Sequence, residues 1–173
     1  ATITANYSSD TTMGSATVQL TVNPKAVTIT GLTAQSKEYD GNTEATAAGN
    51  ATLTGVVGDD DVTFSNGSAS FADKRVGTGK KVTFTGYSLT GADAGNYTLS
   101  AQPAPVTASI TAKLIGVTGL AATDRAYDGT TRVDLTGGTL DGVIKGDTVE
   151  LDLSNAYGDT TDANVGTGKT VTL

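Results

Sequence analysis

Two tyrosine–aspartate pairs are the residues of this sequence whose types could do chemistry. Tyr39 and Asp40 stand in "SKEYDGNTEAT", and Tyr127 and Asp128 stand in the similar "DRAYDGTTRVD". An aromatic ring beside a carboxylate is a reasonable platform for a sugar, because the ring is apolar and the acid accepts hydrogen bonds from hydroxyl groups. The alternative is a turn that specifies the fold.

The turn interpretation follows from what each residue of the triplet does locally. The two aspartates can accept hydrogen bonds from the backbone N–H groups two residues later. Gly41 and Gly129, which follow them, can adopt a positive φ at no steric cost. The tyrosine rings are expected to lie over the end of a sandwich, with each hydroxyl bonded locally. The residue types therefore favour a structural turn over a sugar site.

A glycine-rich segment with a lysine, "VGTGK", begins at Val76 and again at Val165. Such loops can cradle phosphate when a helix follows them. A phosphate loop also needs glycine five positions before the Gly-Lys pair, where Lys74 and Ala163 stand instead. The segment is therefore predicted to be a tight turn that leads into a strand.

Aspartates in the predicted loops are the only candidates for metal binding. Calcium prefers oxygen-rich clusters, although the spacing here does not match an EF-hand loop. The alternative is plain solubilising charge, with no cofactor at all. The calcium candidates are Asp59, Asp60, Asp61, Asp93 and Asp147, and further loop acids are Asp141, Asp159 and Asp162.

Composition argues against several function classes. The 173 residues include no histidine and no cysteine, so an imidazole base and a thiol nucleophile are absent and an enzyme is not expected. The net charge is −7 and the eleven basic residues are scattered, which argues against a nucleic-acid partner. No apolar run approaches the roughly 20 residues that a membrane-spanning helix needs.

Internal repetition sets the organisation of the chain. Tyr127 repeats Tyr39 at an offset of 88 residues (127 − 39), and "VGTGKTVTL" repeats "VGTGKKVTF" at an offset of 89 (165 − 76). "GNYTLS" around Tyr97 also resembles "ANYSSD" around Tyr7. The alignment predicts the last strands of a preceding repeat in residues 1–24, a complete repeat in 25–112, and a second repeat without its last strands in 113–173.

Alternating apolar and polar residues predict short strands. "AVTIT" at 26–30 is a first strand, "TEATAAGNATLTGV" supplies one long or two short strands, and "DVTF", "SASF", "KKVTFTGY", "NYTLS" and "PVTASIT" complete about seven. Seven strands in some 88 residues favour tandem immunoglobulin-like β-sandwiches, an all-β fold. A β-grasp-like sheet is the alternative, but it needs a helix, and Gly49 and Asn50 interrupt the alanine-rich region 44–54.

Taken together, "KEYDGNTEAT", "GDDDVTF", "VGTGKKVTFTGYSLTGADAGNYTL" and "VTASIT" resemble the YDG-type repeat of bacterial surface proteins. The resemblance covers the whole chain once its ends are counted as partial repeats. It implies large exported haemagglutinin-like or adhesin-like proteins with these modules in tandem, and it implies no catalytic residues. We therefore expect an extracellular or cell-surface spacer. A module that binds glycans or a host surface weakly is the alternative.

The partial repeats also predict a partner, which is a neighbouring repeat or another copy of the chain. An incomplete sandwich exposes unpaired strand edges, and these promote self-association. Residues 4–23 of one copy are expected to add to the sheet of residues 114–173 in the next, head to tail, to give a fibre. The alternative is that this chain is a segment of a longer repeat array.

Overall fold

The computed structural model describes residues 2–9 and 12–173, and it confirms the all-β class. Strands account for all the regular structure in these ranges except one short 3-10 helix, η1 (Ala94–Asn96). Near the N-terminus, β1 (Thr2–Ser9) pairs antiparallel with β2 (Thr12–Gln19), and the two form a sheet of their own. Two strands are therefore present where the tail of a preceding repeat is predicted.

The complete repeat contains ten short strands rather than about seven. They are β3 (Lys25–Ala34), β4 (Lys37–Glu38), β5 (Glu44–Ala45), β6 (Ala47–Thr54), β7 (Thr63–Ser65), β8 (Ser68–Phe71), β9 (Gly77–Thr85), β10 (Ser88–Thr90), β11 (Tyr97–Leu99) and β12 (Val106–Thr111). The sheets have the orders β11-β3-β6, β4-β12-β9-β8-β5 and β10-β7. Alternation did not predict β4 and β10, because each is two or three residues long and forms against a strand distant in sequence.

The alanine-rich region 44–54 forms strands β5 and β6, so the helix required by the β-grasp alternative does not form there. β6 pairs with β3, and the register shifts between Thr30 and Leu32. At this bulge a Cβ on Gly49 would lie 2.4 Å from the carbonyl oxygen of Gly31. Gly49 therefore permits a close approach of two strand backbones.

The core of the complete repeat lies between its two larger sheets. Val27 and Ile29 of β3 are 1% and 5% exposed, as the alternation of this strand predicts. Ile29 belongs to one buried cluster with Phe84 of β9 and with Tyr87. Since β3 and β9 are in different sheets, this packing has the form of a β-sandwich.

The second repeat forms one antiparallel sheet, of order β13-β14-β15-β16. Its strands are β13 (Gly116–Ala122), β14 (Arg132–Asp141), β15 (Tyr157–Thr160) and β16 (Val171–Thr172). β13 is an edge strand, whereas its counterpart β3 lies between β11 and β6. Ile115, just before β13, and Val117 within it are 39% and 42% exposed, although they match the buried Val27 and Ile29.

The chain divides into two compact units that do not follow the repeat boundaries. Unit 1 takes the chain up to residue 37, with 43–73 and 78–109, and unit 2 takes 38–42, 74–77 and 110–173. The first Tyr-Asp-Gly turn and the segment before β9 thus belong to the complete repeat by sequence and to unit 2 by their contacts. The predicted repeat boundaries remain a prediction.

Candidate functional site

The aspartates of the two Tyr-Asp-Gly turns make the same local hydrogen bond. The N–H of Asn42 donates to Oδ1 of Asp40 at 3.1 Å, and the N–H of Thr130 donates to Oδ1 of Asp128 at 2.9 Å. In the second turn this backbone bond, aided by the Thr130 hydroxyl and by Arg125, lowers the pKa of Asp128 below its usual value. Both carboxylates therefore cap their own turns, which is the geometry that the sequence predicts.

The two glycines share a backbone conformation but not their surroundings. Gly41 has a φ of 81° and Gly129 a φ of 79°. A Cβ on Gly41 would lie 2.8 Å from Cγ2 of Ile144, whereas around Gly129 only the Tyr127 hydroxyl oxygen comes within 4.0 Å. The first turn is therefore packed against another side chain, and the second is open.

Tyr39 of the first turn belongs to unit 2 by its contacts. It is half-buried and lines a pocket of about 220 Å³ together with Ile115, Ile144 and Val149. All of these residues belong to unit 2. The turn of the complete repeat thus contributes its aromatic ring to a small apolar pocket of residues from the following repeat.

Two charged residues accompany the Tyr39 ring. The Lys74 ammonium lies 5.9 Å from the ring centroid and 3.4 Å from Oδ1 of Asp147. A side-chain hydrogen bond from Tyr39, followed by the interactions with Lys74, lowers the pKa of Asp147 below its usual value. Tyr39 and then Asp147 raise the pKa of Lys74. These three residues form what we call the junction triad, and Asp147, a predicted calcium candidate, is engaged in it.

Tyr127 of the second turn has no such cover and is 68% exposed. Beside it, the Arg125 guanidinium donates to the Asp128 carboxylate and to the Thr130 carbonyl. One oxygen of the carboxylate predicted as the polar half of a sugar platform, Oδ1 of Asp128, is therefore committed to the turn itself. The ring remains accessible.

Three of the remaining calcium candidates accept hydrogen bonds from residues that are distant in sequence. Asp60 accepts a hydrogen bond of 2.5 Å from the Tyr97 hydroxyl, and this bond is the main cause of the raised Tyr97 pKa. Asp61 and Asp93 accept bonds from backbone N–H groups of the two loops that they join. Asp59 is exposed. Across the described ranges, no three acidic side chains come together as a metal site would require.

The lysine of each "VGTGK" segment forms an ion pair that the sequence reasoning missed. Lys80 pairs with Asp73 and Lys169 pairs with Asp162, each at 2.6 Å. The sequence did carry a signal for these ion pairs, because an aspartate stands seven residues before the lysine in both repeats. The prediction of a turn at this segment is wrong in the complete repeat, where β9 already begins at Gly77.

Sequence reasoning also missed Lys74 and Ile144 as partners of the first turn. In the sequence, Lys74 is distinguished only as the residue that breaks the phosphate-loop pattern. Its contact with Asp147 spans 73 positions, and local patterns carry no signal for such pairs.

An all-β chain with a repeated Tyr-Asp-Gly turn and the same carboxylate cap in each copy defines a class of tandem-repeat protein. The YDG domain profile matches residues 23–105 and 111–173, so the chain belongs to the YDG domain family. No curated protein and no solved structure matches the chain. Within the described part of the chain, no helix is long and apolar enough to cross a bilayer.

Proposed function

We propose that this chain is a structural spacer of tandem YDG domains in a bacterial cell-surface or secreted adhesin-like protein. The observation that carries the proposal is the junction triad, because Tyr39 and Lys74 of the first domain pack with Asp147 of the second inside one compact unit. A turn whose side chains join successive domains supports a connecting role. The surface location rests on the resemblance of the repeats to those of exported adhesin-like proteins.

The contacts of both turns argue against the sugar-binding alternative. The Tyr39 ring contacts the Lys74 ammonium and lines the apolar pocket, and Asp40 caps its own turn. In the open turn, Asp128 is held by Arg125 and Thr130. In each turn at least one oxygen of the carboxylate is therefore committed to the turn rather than to a ligand.

Matched substitutions in the two turns test the connecting role. Tyr39→Ala should lower the free energy of unfolding by about 1–2 kcal/mol, because a packed ring is lost. Tyr127→Ala, the control at the open turn, should change it by less than about 0.5 kcal/mol. Both values come from urea unfolding followed by circular dichroism. Equal effects of the two substitutions would contradict the connecting role.

Glycan-array binding by the parent chain separates the spacer from a ligand-binding module. We expect no binding above background. Specific binding that disappears in Tyr127→Ala, with stability unchanged, would make the turn a ligand site. The location is tested separately by antibody labelling of intact producing cells, where failure to label would contradict a surface position.

A further inference from the structure

Tension along the chain would enter the complete repeat through β3 and leave it through β12, because these are the first and last strands of residues 25–112. β3 lies between β11 and β6 in one sheet, and β12 lies between β4 and β9 in another. Each of the two strands therefore has a hydrogen-bonded neighbour on both sides. Neither can be pulled away as an edge strand could.

β3 and β12 run in the same direction, although they belong to different sheets. Val106, at the start of β12, packs against the buried cluster that contains Ile29, near the middle of β3. Three residues later, the N–H of Ser109 donates to the Ser36 hydroxyl oxygen at 2.9 Å, and Ser36 lies two residues beyond the end of β3. The chain thus enters β3 at one end of the sandwich and leaves β12 at the other.

The two ladders of β3 together cover its length. β11 runs parallel to the first part of β3, where Tyr97 pairs with Lys25 and Leu99 with Val27. The N–H of Ser100 extends this ladder by donating to the Val27 carbonyl at 3.0 Å. β6 pairs antiparallel with the later part of β3, on its other side. Because ladder hydrogen bonds run across the strands, a force along β3 loads both ladders in shear, and their bonds resist it together.

The core adds to this resistance. Val27 and Ile29 of β3 are 1% and 5% exposed, and Ile110 of β12 is 1% exposed. A strand that slides out of its sheet must draw such side chains from the core into water, which is unfavourable. Sliding therefore costs apolar burial as well as hydrogen bonds.

We propose that the complete repeat is a tension-bearing module, in which β3 and β12 are clamped in shear by their neighbouring strands. Since forced unfolding is governed by the rate at which the folded state is lost, the clamp prolongs the life of the module under load. This load-bearing role rests on the proposed spacer function, which puts the repeat in line with neighbouring domains that transmit force.

The direction of pulling provides the test. The chain contains no cysteine, so two introduced cysteines define the points between which a single molecule is pulled in optical tweezers. Pro24→Cys with Ala112→Cys loads β3 and β12 along their axes. Pro24→Cys with Asn96→Cys loads the β3–β11 ladder across its strands, since these residues precede the paired Lys25 and Tyr97. All three substituted residues are exposed.

At one loading rate, the full chain should unfold at a higher force across positions 24 and 112 than across positions 24 and 96. In the first geometry the bonds share the load, whereas in the second they break one after another from the end at Lys25. An equal or lower force across positions 24 and 112 would overturn the proposal. This comparison alters no residue within a ladder, so it does not depend on a variant that fails to fold.

A substitution within the clamp, made in the chain with cysteines at 24 and 112, gives a second measurement. Ser100→Pro removes the donor to the Val27 carbonyl, and at a fixed force its unfolding rate should rise about fivefold, as expected for one lost hydrogen bond. Thr63→Val is the matched control, because it removes the hydroxyl bond to Thr90 in the separate β7–β10 sheet. The control should change the rate by less than about twofold. Equal rises in the two variants would contradict a clamp at β3.

Failure here is distinguishable from failure of the proposed spacer function. The substitutions of Tyr39 and Tyr127 measure equilibrium stability at the turns, and they alter neither β3 nor β12. A chain that meets those expectations but unfolds at the same force in both pulling geometries would overturn the load-bearing role alone.

Discussion

The Lys74 ammonium and the Asp147 carboxylate lie 3.4 Å apart, although 73 positions separate them in the chain. Lys74 follows β8 of the complete repeat, and Asp147 follows β14 of the next. The Lys74 side chain is 50% exposed and the Asp147 side chain 23%. Solvent therefore screens the attraction between the two charges. The main role of the ion pair is to hold the Lys74 ammonium beside the Tyr39 ring.

The junction triad should make stability depend on pH at both ends of the scale. The Asp147 pKa is lowered from 3.8 by folding, so its contribution is present above pH 3.8 and is lost as pH falls through the folded value. The Lys74 pKa is raised from 10.5, so its contribution is present below pH 10.5 and is lost as pH rises through the folded value. Calorimetry against pH should show both limbs.

Asp128, Asp152 and Asp162 also have lowered pKa values, so they contribute to the loss of stability in acid as well. Comparing the parent with Asp147→Asn separates the contribution of the junction from theirs. The difference in melting temperature between parent and variant should shrink as pH falls below 3.8. A difference that is constant with pH would mean that the Asp147 charge does not stabilise the junction.

The two turn glycines should respond differently to one substitution. Gly41→Val should cost about 1–3 kcal/mol, since it combines strain at a positive φ with the clash against Ile144. Gly129→Val should cost less, because only the strain applies. Adding Ile144→Ala to Gly41→Val should recover part of the loss if the contact is real. Chemical unfolding of the parent, Gly41→Val, Ile144→Ala and the double variant measures the coupling.

Removal of the turn cap should have a modest and chemically specific effect. Asp40→Ala should cost about 1 kcal/mol, because the Asn42 N–H loses its acceptor. Asp40→Asn keeps a side-chain oxygen at the same place and should remain close to the parent. If both substitutions were equally costly in urea unfolding, the carboxylate charge rather than the hydrogen bond would be the stabilising feature.

Calcium should not stabilise the chain. Asp60, Asp61 and Asp93 each commit one oxygen to a hydrogen bond within the protein, and the described residues hold no group of three acids close enough to share an ion. Melting temperatures with added calcium and with a chelator should therefore coincide. A melting temperature that rises with calcium in the parent but not in Asp61→Asn would instead show that calcium binds at the predicted aspartates.

Local rules predicted the parts of the fold that depend on local chemistry. Alternation placed Val27 and Ile29 on the buried face of β3, and the types of Asp40 and Gly41 gave the geometry of the turn. What surrounds Tyr39 comes from residues between 35 positions (Lys74) and 110 positions (Val149) later, and no local pattern reports them. β9 begins at Gly77, earlier than predicted, and β8 pairs only with its later part, Val82–Thr85. Its other neighbour is β12, and a neighbouring strand can extend a ladder beyond its propensity.

The difference between the covered Tyr39 and the open Tyr127 bears on arrays of any length. If each following domain covers the turn before it, an array of n domains has n − 1 covered turns and a single open one. Its stability then grows as a sum of domain terms and nearest-neighbour terms, as in a one-dimensional chain of coupled units. Melting temperature should rise steeply over the first added domains and then level off. Unfolding should begin by fraying from the end that carries the open turn.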